Sequence, residues 1–236
     1  MKITNIIKII VTVLLFSMTA FAQYTPGTVS NGGSITGTIS FEGSAPTLKV
    51  LKIEKDAKVC AVDDKYKEDI VVGKSGGLKN VVVYIDGIES GKAWETKYTL
   101  NQKGCWFDPH VVIVGVGQKL SIFNSDGILH NIHTFSKLNK SINKAQPKFK
   151  KRISAKFAKA EFIKLRCDVH AWMSGWIVAA ANPYYVTTDE AGNYSLTGVP
   201  AGTYTLKFWH ETLGEQSTEV TVGAGGSAKA DAKFSS

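Results

Sequence analysis

The feature that most constrains the fold is a seven-residue segment that carries three different metal-binding side chains. It is Cys167-Asp-Val-His170-Ala-Trp-Met173, and an earlier stretch, His130-Asn-Ile-His133, supplies further imidazoles. A thiol, an imidazole and a thioether this close together can meet at one point only in a tight loop. Cys167 would then end one strand, His170 would lie in the turn, and Met173 would begin the next strand.

The residues around these motifs have the patterns of strands. Apolar and polar residues alternate in two stretches, at 118–124 and at 160–166, and a largely apolar run follows at 175–181. Such alternation is typical of strands with one buried face. Ser125-Asp-Gly is a turn sequence that leads toward His130. The sequence therefore predicts that the candidate ligands lie at one end of a sheet structure.

The candidate donors are two imidazoles, one thiolate and one thioether. This set is typical of a mononuclear copper site with a trigonal His₂Cys plane and a long axial Met. Zinc sites are built from Cys, His and carboxylate ligands, and a thioether is unusual there. A binuclear copper centre would need a second Cys in the loop, and a multicopper site would need more than the five histidines of the chain. The donor set therefore predicts one copper ion that changes oxidation state.

The two stretches "IFNSDGILHNIHTF" and "LRCDVHAWMSGWIV" resemble cupredoxins, and most closely the amicyanins, which share the short Cys-x2-His-x2-Met loop. The resemblance covers roughly residues 95–182 and implies a Greek-key β-sandwich. It implies that the backbone of Asn131 contacts the Cys167 sulfur and steadies it. The ligands that it implies are three in the equatorial plane and one axial: His130, Cys167, His170 and Met173.

The same resemblance implies that the edge of His170 lies near the surface. Trp172, with Ala171, would then form an apolar docking patch beside it, although loop packing is the alternative for Trp172. His133 is not expected to be a ligand, because a residue three positions after His130 in a strand points to the opposite face. His110 and His210 are expected to have structural hydrogen-bonding roles.

The C-terminal part has the pattern of a second, smaller Ig-like sandwich, so that the whole chain is predicted to be all-β. Short alternating strands are separated by turn sequences such as Asp-Glu-Ala-Gly-Asn at 189–193. The stretch "VTTDEAGNYSLTGVPAGTYTLKFWHE" resembles the carboxypeptidase-regulatory-like and Cna-B families. In combining the two units, the chain resembles periplasmic proteins of the methylamine-utilisation-like type.

Two early strands of that second unit lie before the copper-binding stretch, in 33–41 and 79–85. The predicted domains are therefore a discontinuous regulatory-like sandwich, at 33–91 and 184–236, and an inserted cupredoxin-like domain at 92–183. Insertion is tolerated where chain ends lie close together at a surface turn. The alternative is two domains in tandem, in which residues 33–90 contribute early strands to the cupredoxin-like domain.

Residues 1–22 have a basic start, a short apolar core and small residues before a cleavage point near Ala22 and Gln23. This pattern predicts a secretory signal peptide and a periplasmic or secreted protein without a membrane span. Export permits disulfides. Of the three cysteines, Cys60 and Cys105 are predicted to pair if Cys167 binds copper, and two buried thiols are the alternative.

Positive charge is concentrated in one part of the chain. The formal net charge is +8, and eleven Lys or Arg residues but one acid, Glu161, lie between residues 134 and 166. A solvated loop is one reading. The other is a docking surface for an acidic redox partner, such as a c-type cytochrome or a dehydrogenase. Lys148, Lys150 and Lys151 are the candidate contacts, and no motif points to nucleic acid.

These observations favour an exported single-electron carrier with one type 1 copper ion, rather than an enzyme. Two alternatives remain open. The first is a copper carrier that delivers the ion without transferring electrons. The second is a binding module for a glycan or protein, in which Trp209, Tyr184 and Tyr185 would be exposed and the cupredoxin-like domain would be a scaffold.

Overall fold

The computed structural model describes residues 24–235, so the predicted signal peptide at residues 1–22 lies outside the described residues. The described chain contains nineteen strands, β1–β19, and one short helix, α1, at Ala57–Cys60. The predicted all-β class is confirmed. The helix in the described residues is too short to cross a membrane.

The middle of the chain forms a first sandwich of two antiparallel-rich sheets. One sheet has the order β10-β9-β12-β13-β7, and the other has the order β11-β8-β5-β6. Its strands are β5 (Tyr98–Lys103), β6 (Trp106–Asp108), β7 (Val111–Gly115), β8 (Leu120–Asn124), β9 (His130–Phe135), β10 (Asn143–Gln146), β11 (Arg152–Ala155), β12 (Glu161–Arg166) and β13 (Ser174–Ala180).

The alternation of apolar residues explains why these segments are strands. In β8, Leu120 and Ile122 are buried while Ser121 and Phe123 are partly exposed, and β12 repeats the pattern with Ile163 and Leu165. Successive side chains of a strand point to opposite faces, so one face of each strand joins the core between the two sheets. The predicted strands at 118–124, 160–166 and 175–181 are present with ends shifted by one or two residues.

The first and last parts of the chain form a second sandwich. Its sheets have the orders β14-β3-β16-β17 and β15-β2-β18, with β19 also paired to β2, and a separate two-stranded pair joins β1 to β4. The strands are β1 (Thr25–Pro26), β2 (Gly33–Glu42), β3 (Val82–Ile85), β4 (Ser90–Gly91), β14 (Tyr185–Thr187), β15 (Asn193–Val199), β16 (Gly202–His210), β17 (Gly214–Val222), β18 (Ser227–Lys229) and β19 (Ala232–Ser235).

The pairing of early and late strands bears on the order of the domains. β2 pairs with β15, and β3 lies between β14 and β16, so residues on both sides of the first sandwich in sequence share the second one. This arrangement supports an insertion. The domain boundaries at residues 91/92 and 183/184 stay a prediction.

A third apolar cluster joins the two sandwiches. Val82 and Tyr84 of β3 pack with Val111 and Val178 of the first sandwich. The rings of Trp176 and Trp209 meet there too, at 4.9 Å between centroids. The outer face of the β13–β7 sheet is thus partly covered by the second sandwich.

Residues 43–81, here named the connecting segment, link β2 to β3 and reach the first sandwich. Cys60 at the end of α1 is fully buried in the core of that sandwich and forms a disulfide with Cys105. The predicted pairing of Cys60 with Cys105 is confirmed, and Cys167 is a free, buried cysteine. The disulfide therefore anchors the connecting segment to the turn between β5 and β6.

Candidate metal centre

The loop at residues 167–173 joins two neighbouring antiparallel strands. Arg166 at the end of β12 pairs with Ser174 at the start of β13, so the seven residues between them close a compact loop. Inside the loop, the Cys167 N–H donates to the Met173 carbonyl at 3.2 Å, and the Met173 N–H donates to the His170 carbonyl at 2.9 Å. The loop is held by its own backbone, as the spacing of the motif requires.

His130 reaches the same point from the neighbouring strand. β9 runs antiparallel to β12, and Arg166 pairs with His133. One step further along this register places Cys167 opposite Ile132. Ile132 lies two residues after His130 on β9, so the side chains of His130 and Ile132 share a face. His130 and Cys167 therefore both point into the sandwich at the same end.

Three donor atoms converge at this end of the first sandwich. Cys167 Sγ lies 4.0 Å from His130 Nδ1 and 3.8 Å from His170 Nδ1, and the two Nδ1 atoms are 3.0 Å apart. All three side chains are at most 2% exposed. The residues could hold one metal ion, because each offers a ligand atom within 4.8 Å of the others.

Each histidine uses its outer nitrogen for a carboxylate. His130 Nε2 lies 2.8 Å from Asp126 Oδ2, and His170 Nε2 lies 2.9 Å from Asp56 Oδ2. An ionised carboxylate only accepts hydrogen bonds, so each Nε2 carries the proton and donates it. Such contacts set the tautomer of metal-binding histidines. Both Nδ1 atoms can then present lone pairs toward Cys167.

This arrangement fits a bound cation. Two nitrogen lone pairs and a thiolate that face one another repel unless a positive charge lies among them. Metal bonds of about 2.0 Å to nitrogen and about 2.3 Å to sulfur place such donors roughly 3.5–4 Å apart. The separations of 3.8 and 4.0 Å agree with this, and the 3.0 Å between the nitrogens is shorter.

In the metal-free chain, a proton can supply the positive charge among the three donors, and the pKa values indicate which group carries it. Burial opposes a charge on His130, but hydrogen bonds to Asp126 and Cys167 outweigh it and raise its pKa to about 9. Burial also opposes ionisation of Cys167, yet the hydrogen bond to His130 prevails and lowers the pKa of the thiol. The pKa of His170 is lowered, chiefly by burial. One proton on His130 therefore balances the thiolate, and a metal ion would displace it.

Met173 and Asn131 both contact Cys167 through their backbones. Met173 is fully buried, in the same core cluster as Cys167. The backbone N–H of Asn131 hydrogen-bonds Cys167 and helps to lower its pKa, while its side-chain oxygen accepts the Asp168 N–H at 2.5 Å. Asn131 therefore ties β9 to the first residue after Cys167.

The other histidines lie away from the three donors. His133 is on the outer face of β9, partly exposed and 2.8 Å from Asp168 Oδ1. His110 contacts Glu211 and Glu68 at the junction between the sandwiches. His210 Nδ1 accepts backbone N–H bonds from Thr212 and Leu213 at 3.2 and 3.3 Å.

The expectation that the edge of His170 lies at the surface is wrong. The side chain is 0% exposed, because Asp56 of the connecting segment covers Nε2 and the Trp172 ring packs 5.0 Å from the imidazole. Trp172 is half-buried, and its indole N–H donates to the Cys105 carbonyl at 3.2 Å. Of the expected apolar patch, Ala171 is exposed and Trp172 is not.

The basic residues form the exposed surface on one side of the first sandwich. Lys148, Lys150 and Lys151 are exposed in the link between β10 and β11, and Phe149 among them is 81% exposed. Glu161 is the single acid of this stretch, and its carboxylate accepts hydrogen bonds from the Ser136 hydroxyl and from backbone N–H groups. Burial opposes its ionisation, but these hydrogen bonds prevail and lower its pKa to about 2.

Sequence reasoning missed the two carboxylates. The sequence contains a signal for Asp126, because this residue lies in the predicted turn four residues before His130. Metal-binding histidines commonly donate a hydrogen bond to a carboxylate, as His130 does here. Asp126 also accepts the backbone N–H groups of Gly104 and Cys105 at 2.6 and 2.8 Å. The sequence contains no such signal for Asp56, because this residue is 114 positions away from His170.

Residues 173–235 match the family model of the carboxypeptidase regulatory-like domain. The predicted C-terminal resemblance is confirmed. The match begins at Met173, so it includes β13 of the first sandwich and starts before the predicted boundary at residue 184. A search of curated proteins finds no match to this chain.

The solved structures that are similar to this chain include cupredoxins. A Cu-containing nitrite reductase from Thermus scotoductus SA-01 has 21% identity over 38% of this chain, with a TM-score of 0.34, and the chain spans 24% of its length. A mutant of amicyanin with Cu(I) has 16% identity over 37% of this chain and 86% of its own, with a TM-score of 0.33. A purple cupredoxin from Nitrosopumilus maritimus has 19% identity over 35% of this chain and 98% of its own, with a TM-score of 0.30.

Proposed function

We propose that this chain is an exported type 1 copper protein that carries single electrons. The observation that carries the proposal is the buried convergence of His130 Nδ1, His170 Nδ1 and Cys167 Sγ, all within 4.0 Å of one another. Met173, buried at the end of the same loop, would be the fourth ligand. Two imidazoles, a thiolate and a thioether are the donor set that copper favours in electron-transfer sites.

A bound copper ion would supply one-electron chemistry between Cu(II) and Cu(I). The chain's own residues would keep the donors in one arrangement for both states. Asp126 and Asp56 orient the two imidazoles, and the backbone of the 167–173 loop holds Cys167 and Met173. Burial of all these donors excludes water, so little rearrangement would accompany electron transfer.

The proposed location is the periplasm or the outside of the cell, on the basis of the signal-like residues 1–22. The disulfide between Cys60 and Cys105 suits an oxidising compartment. The proposed partner is an acidic redox protein, such as a c-type cytochrome or a dehydrogenase, that docks on the exposed lysines 148, 150 and 151. Trp172 remains a proposed contact through the part of its ring that is open.

Delivery of copper to another protein is the rival function. A carrier should release its ion readily, whereas the donors of this site are buried under Trp172 and Asp56. The binding-module alternative has less support, because the three aromatic residues that it needs on the surface are buried or partly buried. Tyr184 is fully buried, and Tyr185 and Trp209 pack in the cluster between the sandwiches.

The experiment is a visible spectrum of the mature protein after addition of Cu(II). An intense thiolate-to-copper band should appear, and Cys167→Ser should abolish it, since a hydroxyl cannot replace the soft thiolate. Circular dichroism of the variant checks that it still folds. A colourless protein that retains no copper would refute the proposal. Loss of copper to a Cu(I) chelator within one redox cycle would favour the carrier function instead.

A further inference from the structure

Asp56 is the residue that closes the outer edge of His170. Its Oδ2 lies 2.9 Å from His170 Nε2, and its own side chain is 39% exposed while that of His170 is 0% exposed. The carboxylate therefore stands between the imidazole and solvent. The His170 ring also packs against the rings of His130, at 4.7 Å, and of Trp172, at 5.0 Å between centroids.

The local structure does not use the Asp56 side chain. Asp56 precedes α1 at the position where an aspartate normally accepts a backbone N–H of the first turn. Here it makes no such side-chain bond, and its backbone is left-handed, with φ 51° and ψ 36°. Few residues other than glycine adopt this conformation, although Asp tolerates it better than most. In this conformation the Asp56 carboxylate contacts His170 instead.

The disulfide holds Asp56 at this place. The Asp56 carbonyl accepts the Cys60 N–H at 2.9 Å, so the first turn of α1 joins the carboxylate to the disulfide. On the other side, the Cys105 N–H donates to Asp126, which contacts His130. One disulfide thus links the turn that carries Asp56 to the turn between β5 and β6, whose N–H groups bind Asp126.

We propose that Asp56 is a positioning residue that fixes the tautomer and orientation of His170 and shields its Nε2, and that the Cys60–Cys105 disulfide keeps Asp56 in place. The proposal rests on the proposed metal site and deepens it. Two consequences follow. External reagents and partner proteins do not reach His170 directly, and the metal affinity of the loop at 167–173 depends on a segment more than a hundred residues earlier.

The first test uses the metal-free protein, so it does not depend on copper. Long-range ¹H–¹⁵N correlation spectra of the histidine side chains report the tautomer, and diethyl pyrocarbonate reports access to the ring. The wild type should show His170 with the proton on Nε2 and little modification. Asp56→Ala should show mixed tautomers and rapid modification. Asp56→Asn should resemble the wild type, because its amide oxygen can still accept the Nε2–H bond.

Glu54→Ala is the matched control, because it removes a carboxylate two residues away. Glu54 is exposed and pairs with Lys52 at 2.6 Å, so the variant changes local charge without touching His170. It should leave both readouts unchanged. The double variant Cys60→Ser/Cys105→Ser should show the Asp56→Ala behaviour, although Asp56 itself is retained.

The second test measures the affinity for Cu(II) by competition with a chelator. Loss of a carboxylate that holds a metal-binding histidine typically lowers affinity by about 10–100-fold. Asp56→Ala and the double cysteine variant should each show a loss of this size, and the triple variant should show little more than either. Asp56→Asn and Glu54→Ala should stay within a few-fold of the wild type.

The outcomes separate this proposal from the proposed function. If the wild type binds no copper but the tautomer and modification results hold, the copper function fails and the role of Asp56 stands. If copper binds with the visible band but Asp56→Ala leaves the tautomer, the modification rate and the affinity unchanged, the role of Asp56 is refuted. If the affinity losses of Asp56→Ala and of the double cysteine variant add up in the triple variant, the link between Asp56 and the disulfide is refuted.

Discussion

Two histidines three residues apart have different roles because a strand alternates its faces. His130 points into the sandwich and is fully buried beside Cys167, whereas His133 lies on the outer face next to Asp168. Its ring stacks on Phe135 at 4.3 Å between centroids. Only His130 therefore has the geometry to bind the same ion as Cys167.

This difference predicts opposite results for two alanine variants. His130→Ala removes one of the three converging donors and should abolish the visible copper band, with a loss of Cu(II) affinity. His133→Ala is the matched variant on the same strand and should leave the band in place. Absorption spectra after copper addition measure both. A normal band in His130→Ala, or its loss in a folded His133→Ala, would show that the wrong imidazole was chosen.

At the scale of the elements, β2 is the central strand of one sheet of the second sandwich. It pairs with β15, β18 and β19, and its burial alternates along nearly all of its length. Gly37 allows the chain after β18 to pass very close to it. A Cβ at this position would lie 1.9 Å from the Ala230 carbonyl oxygen, which is backbone and cannot swing away.

Gly37→Ala should therefore destabilise the second sandwich. Overpacking against rigid neighbours commonly costs about 1–3 kcal/mol, and a clash with backbone belongs at the upper end or beyond. The control is Gly223→Ala, because a Cβ on Gly223 meets nothing within 4 Å. Urea unfolding followed by fluorescence measures both. Equal stability of the two variants would mean that β2 and the Ala230 segment separate easily.

At the scale of the whole molecule, an ionic group joins the two sandwiches. His110, the residue before β7, bonds Glu211, the residue after β16, and its Nδ1 lies 3.4 Å from Glu68 Oε2 of the connecting segment. Glu211 also accepts the Trp176 indole N–H at 2.7 Å. Burial opposes the charge on His110, but the hydrogen bond to Glu211 and the nearby negative charge of Glu68 prevail and raise its pKa to about 9.

The raised pKa of His110 predicts a loss of stability at high pH. The folded pKa of about 9 exceeds the ordinary value of 6.5, so the stabilisation is complete below about pH 6.5 and disappears as the pH rises through about 9. The free energy of unfolding of the wild type should exceed that of His110→Gln most near pH 6. The difference should shrink toward pH 9.5, and urea titrations at several pH values measure it. A difference that does not change with pH would contradict this.

The uneven charge of the molecule gives a prediction about association. Reversing Lys148, Lys150 and Lys151 to Glu should slow oxidation of the Cu(I)-loaded protein by hexacyanoferrate(III), an anionic probe that is reduced to hexacyanoferrate(II). The effect should fall with salt, because exposed charges are screened over ~8 Å at physiological ionic strength. The copper spectrum should not change. The matched control reverses three exposed lysines outside that stretch: Lys49, Lys74 and Lys233.

Stopped-flow rates at low and high salt make the comparison. Equal rates for the two triple variants would mean that only net charge matters. Rates that are insensitive to both mutation and salt would mean that the basic stretch is a solvated loop.

The sequence by itself determined what depends on short-range pattern. The spacing of Cys167, His170 and Met173 determined a loop between two strands, and the alternation around it determined the strands and the face on which His130 lies. The cysteine count indicated the disulfide between Cys60 and Cys105. Such features depend on neighbours within a few residues or on simple counting, so they can be predicted without a structure.

Only the tertiary structure decided what surrounds those ligands. The sequence contains no sign that Asp56 covers His170, or that His110 meets Glu68 and Glu211, because these contacts join segments 42 to 114 residues apart. The expected surface position of His170 failed for the same reason. Whether a side chain is exposed depends on which distant segment packs over it, and here a disulfide brings the connecting segment there. Long-range packing, rather than local pattern, therefore determines how the site is closed.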